Sequence, residues 1–278
     1  MLTLIDSIKS LLNHRCISNI HTNNEQALSF SVYSSMYEQK LLNVPIAKPL
    51  LVFVLSGNKK LGPNDHIICQ TNDFIFLSDS PAINMRNIPN DDEYFALLIE
   101  FDYDDFKDIP LATSNKKDYF IGKNTDTLNQ CLQQFIDCNH WATPSILTSR
   151  KKEILKLLYD LGYTDIASMM DNEKISHKIH DFIHRKNFTD INTQTICKHL
   201  AMSESTLRRK LKTEGTNIQT IKDNAKLGLG LHLLQTSVIS VGLIADRCGY
   251  QSQSRFTDRF KQQFGLTPLE LRKTRMTQ

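Results

Sequence analysis

The 278-residue sequence predicts an α+β fold, with a strand-rich N-terminal domain over residues 1–172 and an all-α domain over residues 173–278. Three observations predict it. Residues 30–110 carry short runs of Val, Ile, Leu, Phe and Tyr separated by Gly, Pro and Asn. From Lys174 to Arg275 the apolar residues recur at helical spacing, in a scheme that occurs twice. Charge divides at the same place: 18 Lys or Arg against 8 Asp or Glu from Lys174 onward, net +10, and 15 against 22 before it, net −7. The whole-chain charge of +3 hides this split. A basic domain favours polyanions, either nucleic acid or an anionic membrane surface.

In the N-terminal domain SFSVYSSMYEQ, KPLLVFVLSG, HIICQTNDFIFLSD and EYFALLIEFD read as strands, broken at Gly57–Asn58, Gly62–Pro63–Asn64, Ser80–Pro81 and Pro89–Asn90. Strands and turns of this kind fit a small barrel or sandwich. Its interior would hold Phe53, Ile68, Phe74, Phe76, Phe95 and Leu97, which either form the core or wall a site for a small apolar ligand. Lys48, Lys59, Lys60 and Arg86 either meet a ligand carboxylate or face water. His66 stands alone in its strand region, and His14 and His21 lie outside the barrel, so no metal centre is expected. No Ser/His/Asp arrangement or phosphate-cradling loop is present, and GLGLH at 228–232 reads as apolar helix. The chain is therefore read as no enzyme, with no cofactor.

Helices at about 124–170 follow, with Leu128, Leu132, Phe135 and Ile136 on one stripe and Ile154, Leu155, Leu157 and Leu158 on another. Such stripes pack against the barrel or pair with a second copy. The polar run Asp171–Lys174 marks the domain boundary. The six cysteines show no ligand or redox spacing and are expected as reduced thiols. Asp6 and Lys9 interrupt the apolar start, and no apolar run reaches the roughly 20 residues of a membrane span. A cytoplasmic protein without a membrane partner is expected.

The helical domain opens with Ile175, Ile179, Phe182 and Ile183 on one face. Thr193–Leu200, a tight turn, and Glu204–Leu211 capped by Ser203 then form a helix-turn-helix in outline. ISVGLIADRCGYQSQSRFTDRFKQQF repeats the scheme, with Gly249 at the turn, Ser252 as cap and Phe256, Phe260 and Phe264 turned inward. Ala201 stands where the first unit needs its glycine. Between the units Asn217–Leu234 reads as one helix about 27 Å long. Successive major-groove segments of DNA recur about 34 Å apart, so one chain with such a connector can read two of them. Gly228 and Gly230 inside it imply either close packing or a bend. Opposite the inward stripes lie Ser205, Thr206, Arg209 and Lys212 in one unit, with Arg208 at the flank, and Ser254, Arg255, Asp258 and Gln262 in the other, with Arg259 at the flank and Gln253 near the capped start. These side chains match the donors and acceptors of base edges. Lys210, Lys212 and Lys261 suit phosphate, as do the helix starts at Ser203 and Ser252.

Residues 174–275 resemble the DNA-binding domain of the AraC/XylS family of bacterial transcription regulators. The second unit carries the resemblance through Ile244, Ala245, Gly249, Tyr250, Ser252, Ser254, Phe256, Phe260, Lys261, Phe264, Gly265, Thr267, Pro268 and Arg272. The first matches at Leu200, Met202, Ser203, Ser205, Thr206, Leu207, Arg209, Leu211 and Lys212. Leu271 stands where an aromatic is usual, and Asp258 where a basic or polar residue often lies. The N-terminal domain resembles, less closely, the cupin-like β-barrel with flanking helices found in many family members. The resemblance implies a sequence-specific transcription regulator of promoter DNA, an activator, with base contacts from Ser205, Arg208, Arg209, Gln253, Arg255, Asp258 and Arg259. It also implies contact with RNA polymerase, a homodimer through the 124–170 helices, and a small-molecule effector in the N-terminal domain near Phe53, Phe76, Phe95, Lys48 and Arg86. An architectural DNA binder with little sequence preference is the alternative, recognised by steep salt dependence with indifference to site scrambling.

Overall fold

The computed structural model describes residues 3–18, 28–78, 82–90, 92–110, 117–169, 174–186, 188 and 191–275. Residues 171–173 of the expected boundary run, the Ser80–Pro81 turn and His21 lie outside them, as does the side chain of His14. Helix α1 (Leu4–Ser18) precedes nine strands: β1 (Ser31–Ser35), β2 (Gln39–Val44), β3 (Leu50–Ser56), β4 (Asn58–Leu61), β5 (Ile67–Cys69), β6 (Asp73–Leu77), β7 (Ile83–Ile88), β8 (Tyr94–Glu100) and β9 (Tyr119–Lys123). Among the described residues they form two antiparallel sheets, in the orders β1-β8-β3-β6-β9 and β2-β7-β4-β5. The predicted barrel is thus a cupin-like pair of facing sheets that does not close. Helices α2 (Asp126–Cys138) and α3 (Pro144–Asp160) follow.

The five-stranded sheet is covered on both faces, which is why its strands are almost wholly apolar. Side chains alternate along each strand. Leu51, Phe53, Phe74, Phe76, Phe95, Leu97 and Ile99 face a core shared with Ile8 and Leu11 of α1, Leu132 and Phe135 of α2, and Ile154 and Leu158 of α3. Val52, Val54, Ile75, Leu77, Ala96 and Leu98 point the other way, into a core shared with the second sheet. The apolar stripes of α2 and α3 are therefore used up within the chain. No described helix is long and apolar enough to cross a membrane.

The C-terminal part contains α4 (Ile175–Arg185), α5 (Thr193–His199), α6 (Glu204–Thr213), α7 (Ile218–Thr236), α8 (Val241–Arg247), α9 (Gln253–Phe264) and α10 (Pro268–Lys273). Ile179, Phe182, Ile196, Leu207, Leu211 and Ile221 form a small core of their own around α5 and α6. The second unit has none of its own. Phe256, Phe260, Phe264, Ile244 and Leu271 belong to the same core as the inner face of the sheets. Further ties cross between the domains: Gln263 Nε2 donates to the Asn43 carbonyl (2.8 Å), and Gln39 Nε2 donates to Thr274 Oγ1 (2.7 Å).

Candidate DNA interface and interdomain cavity

Each unit builds its second helix from local signals. Asn192 caps α5 and Ser203 caps α6, their side chains accepting from Thr195 N and Thr206 N. Ser240 and Ser252 cap α8 and α9 in the same way. The turns match as well, because Ala201 has φ 50° where Gly249 has φ 70°. The first unit thus holds a non-glycine residue in the left-handed region, at a cost of about 1–2 kcal/mol. Leu207 and Leu211 of α6, and the three phenylalanines of α9, turn inward. Ser205, Arg208, Arg209, Lys210 and Lys212 are exposed on α6, and Gln253, Arg255, Asp258, Arg259 and Lys261 on α9.

Three of the arginines have partners. Arg208 bonds Glu204 one turn earlier (2.5 Å), whereas Arg259 reaches out of its helix to Asp223 on α7 (3.0 Å) and also meets Gln262 (2.9 Å). Arg255 leans on Gln251 at 3.3 Å.

Helix α7 runs without a break through both glycines. A Cβ on Gly230 would stand 2.7 Å from the Phe256 ring, and one on Gly228 would stand 3.6 Å from Pro45. Close approach explains Gly230, whereas the space at Gly228 would admit an ordinary contact.

Between the sheets and helices α4 and α7 lies a cavity of about 520 Å³. Leu41, Val52, Met85, Leu98 and Leu231 wall its apolar part, while His180, Asp181, His184 and His232 line the helical side. Lys48 spans the domains, its Nζ 2.7 Å from Asp102 and 3.1 Å from Asp181 on α4. Burial opposes the Lys48 charge, yet the two carboxylates outweigh it and raise the ammonium above its ordinary range. His180 and His184 meet through their Nε2 atoms at 3.2 Å. Burial first, and His180 second, pull His184 down to about 4. Lys59 also lines the cavity and is only 3% exposed. Its Nζ donates to Asn87 Oδ1 (2.8 Å) and lies near Met85 Sδ (3.4 Å), and burial pushes it down to about 8. Asn87 in turn donates to Gln39 (3.0 Å), which also accepts from Gln235 of α7 (3.1 Å).

Residues 196–274 match the family model of a helix-turn-helix domain. The urease operon transcriptional activator of Escherichia coli is 34% identical over 101 residues, 36% of this chain and 33% of that protein. The transcriptional regulator AdiY of Escherichia coli K12 is 25% identical over 146 residues, 48% of this chain and 56% of that one. The C-terminal domain is a helix-turn-helix domain of the AraC type. The chain spans a third to just over half of the length of these relatives. In fold, the likeness is wider. ToxT from Vibrio cholerae, solved with an unsaturated fatty acid bound, superposes with a TM-score of 0.66 at 14% identity, over 92% of this chain and 98% of that one.

The AraC-type domain carries every predicted DNA-facing side chain on its surface. The predicted effector residues are scattered instead. Phe53, Phe76 and Phe95 fill the helix-covered core, on the face of the sheet away from the cavity. Arg86 lies outside the cavity, paired with Glu38 and Asp65. Lys48 does line it. Sequence reasoning missed the cavity's position between the sheets and the AraC-type domain, along with the histidines of α4 and α7. The spacing of His177, His180 and His184 was a readable helical signal, but nothing local says what that face meets.

Proposed function

We propose that the protein is a sequence-specific transcription regulator, and an activator, whose two helix-turn-helix units read successive major-groove segments of promoter DNA. The observation that carries this reading is the pair of capped helices, α6 and α9, each exposing a row of arginine and polar side chains from an AraC-type domain. Arg209 and Arg255 are the chief base readers, with Ser205, Gln253 and Asp258 beside them; Arg208 joins on leaving Glu204, and Arg259 reads from the edge of its helix while Asp223 holds it. Lys210, Lys212 and Lys261, with the starts of the helices at Ser203 and Ser252, hold phosphates. The activator role is supported by the name of one relative, and RNA polymerase is the partner that role requires.

Selection of bound DNA from a random pool by the full chain is the direct test. Arg209→Ala and Arg255→Ala are then expected to relax preference at particular base pairs by about 1–3 kcal/mol each. Lys261→Ala is expected to weaken all sites alike. If both arginine variants rank altered sites as the parent does, base reading by these residues is wrong. If the parent itself is indifferent to scrambling while steeply sensitive to salt, the architectural alternative takes over.

An effector site in the interdomain cavity belongs to the same reading. A buried ammonium without a carboxylate partner is costly, and Lys59 directs one into an apolar chamber. An apolar acid would supply the missing counter-charge. ToxT, the fold neighbour, was solved with such an acid.

The proposed regulator acts as a homodimer. With the α2 and α3 stripes buried, the exposed Trp141 and Ile146 at the α2–α3 corner, with Leu161 at the end of α3, offer apolar surface to a second copy. A sedimentation mass near twice 31.9 kDa is expected, and a strictly monomeric species at micromolar concentration would remove the dimer.

A further inference from the structure

We infer that Lys222, Asp223 and Lys226 on α7 are positioning residues that set which separation between its two DNA segments the protein accepts. The inference rests on the DNA-reading function proposed above. A straight helix fixes the distance between two units along its axis. It does not fix how far each unit is rotated about that axis, and reading two grooves demands both.

The three side chains lie within one turn of α7, Lys222 and Lys226 four positions apart on one face with Asp223 at their side. Each ties a different part of the domain. Lys222 Nζ donates to the carbonyl of Ile191 (2.7 Å), the residue just before the Asn192 cap that starts the first unit. Asp223 accepts from Gln219 within α7 (2.9 Å) and from Arg259 on the second reading helix (3.0 Å). Lys226 Nζ donates to the carbonyl of Gly249 (2.8 Å) in the turn of the second unit and lies 5.3 Å from the centre of the Tyr250 ring. The units also come near one another here. A Cβ on Gly249 would stand 3.6 Å from Cβ of Phe188, which packs on the first unit's core. Both modules therefore converge on a single turn of the connector, held by polar ties whose directions fix rotation where apolar packing permits tilt.

The test uses the full chain and the two-segment site recovered by selection, together with versions carrying one base pair more or less between the segments. Each such change turns one segment by about a tenth of a turn relative to the other. For the parent, either change is expected to lower affinity about tenfold, the cost of one misplaced base contact. Lys226→Met keeps the stem on Tyr250 but loses the bond to Gly249. It is expected to bind the original site more weakly and to lose no more than about twofold on altering the spacing, less than one base contact. Lys226→Arg, which can still donate to Gly249, is expected to restore the parent's profile. A Lys226→Met protein with the parent's spacing profile would overturn the inference. Should that variant melt too early to be read, Asp223→Asn decides by the same comparison. A parent that binds no duplex defeats the DNA-reading function itself, a result distinct from an unchanged profile.

Discussion

Replacing Phe260 by Ala is expected to destabilise the protein by about 3–5 kcal/mol, through loss of buried surface and the cavity left behind. Phe260 has no exposed surface, and its ring meets those of Phe256 at 5.5 Å and Phe264 at 4.5 Å. Its cluster also contains Val54, Ile75 and Ala96 of the five-stranded sheet. The loss should therefore appear in the melting of both domains, not the C-terminal domain alone. Thermal unfolding followed by far-ultraviolet dichroism, with Leu211→Ala as the comparison, checks this. Leu211 lies in the separate core of the first unit, so its loss should loosen that unit first. A Phe260→Ala protein that melts within about 1 kcal/mol of the parent would contradict the shared core.

Lys59→Met is expected to stabilise the protein at neutral pH by up to about 3 kcal/mol, the cost of lowering a buried ammonium from its ordinary range to about 8. The sign follows from proton counting. Between about pH 8 and the unperturbed lysine range near 10.4, the unfolded chain holds a proton on Lys59 that the folded chain has released, so stability rises with pH across that window. Below about 8 the penalty is present in full. The difference in stability between parent and Lys59→Met, measured in urea at pH 7, 8, 9 and 10, should thus shrink as pH rises. A difference that stays flat would show that Lys59 bears no such cost. If Lys59 also receives an effector acid, the stabler variant should be the one that no longer binds it.

Much of the AraC-type domain was legible because its signals are local. The stripe of Phe256, Phe260 and Phe264, the caps at Ser203 and Ser252 and the glycine at 249 each act within a few residues of themselves. Ala201 shows the limit of that reading: the turn needs φ near 50°, and the fold imposes it on a residue that resists it. The sheets were harder. LLVFVLS in β3 is apolar on both faces, so no polar residue marks which side meets the helices and which meets the second sheet. Phe53, Phe76 and Phe95 therefore read either as core or as the wall of a ligand site, and alternation turns them toward α1, α2 and α3, into the core. The cavity was illegible for a different reason. Lys48, Met85, His180 and His232 come from four distant segments, and only tertiary folding brings them around one space. The grip of Asp223 and Lys226 on a guanidinium and a carbonyl was illegible for the same reason, since both partners come from the second unit.

The tail of α9 rests on strand β2. Gln263 bonds Asn43, and a Cβ on Gly265 would stand 3.0 Å from Leu42. The aim of the helix proposed to read DNA in the second unit is therefore partly encoded some two hundred residues upstream. Residues 173–278 grafted onto another protein would carry the reading edge without its backstop, and would present to solvent the oily surface that the sheets now cover.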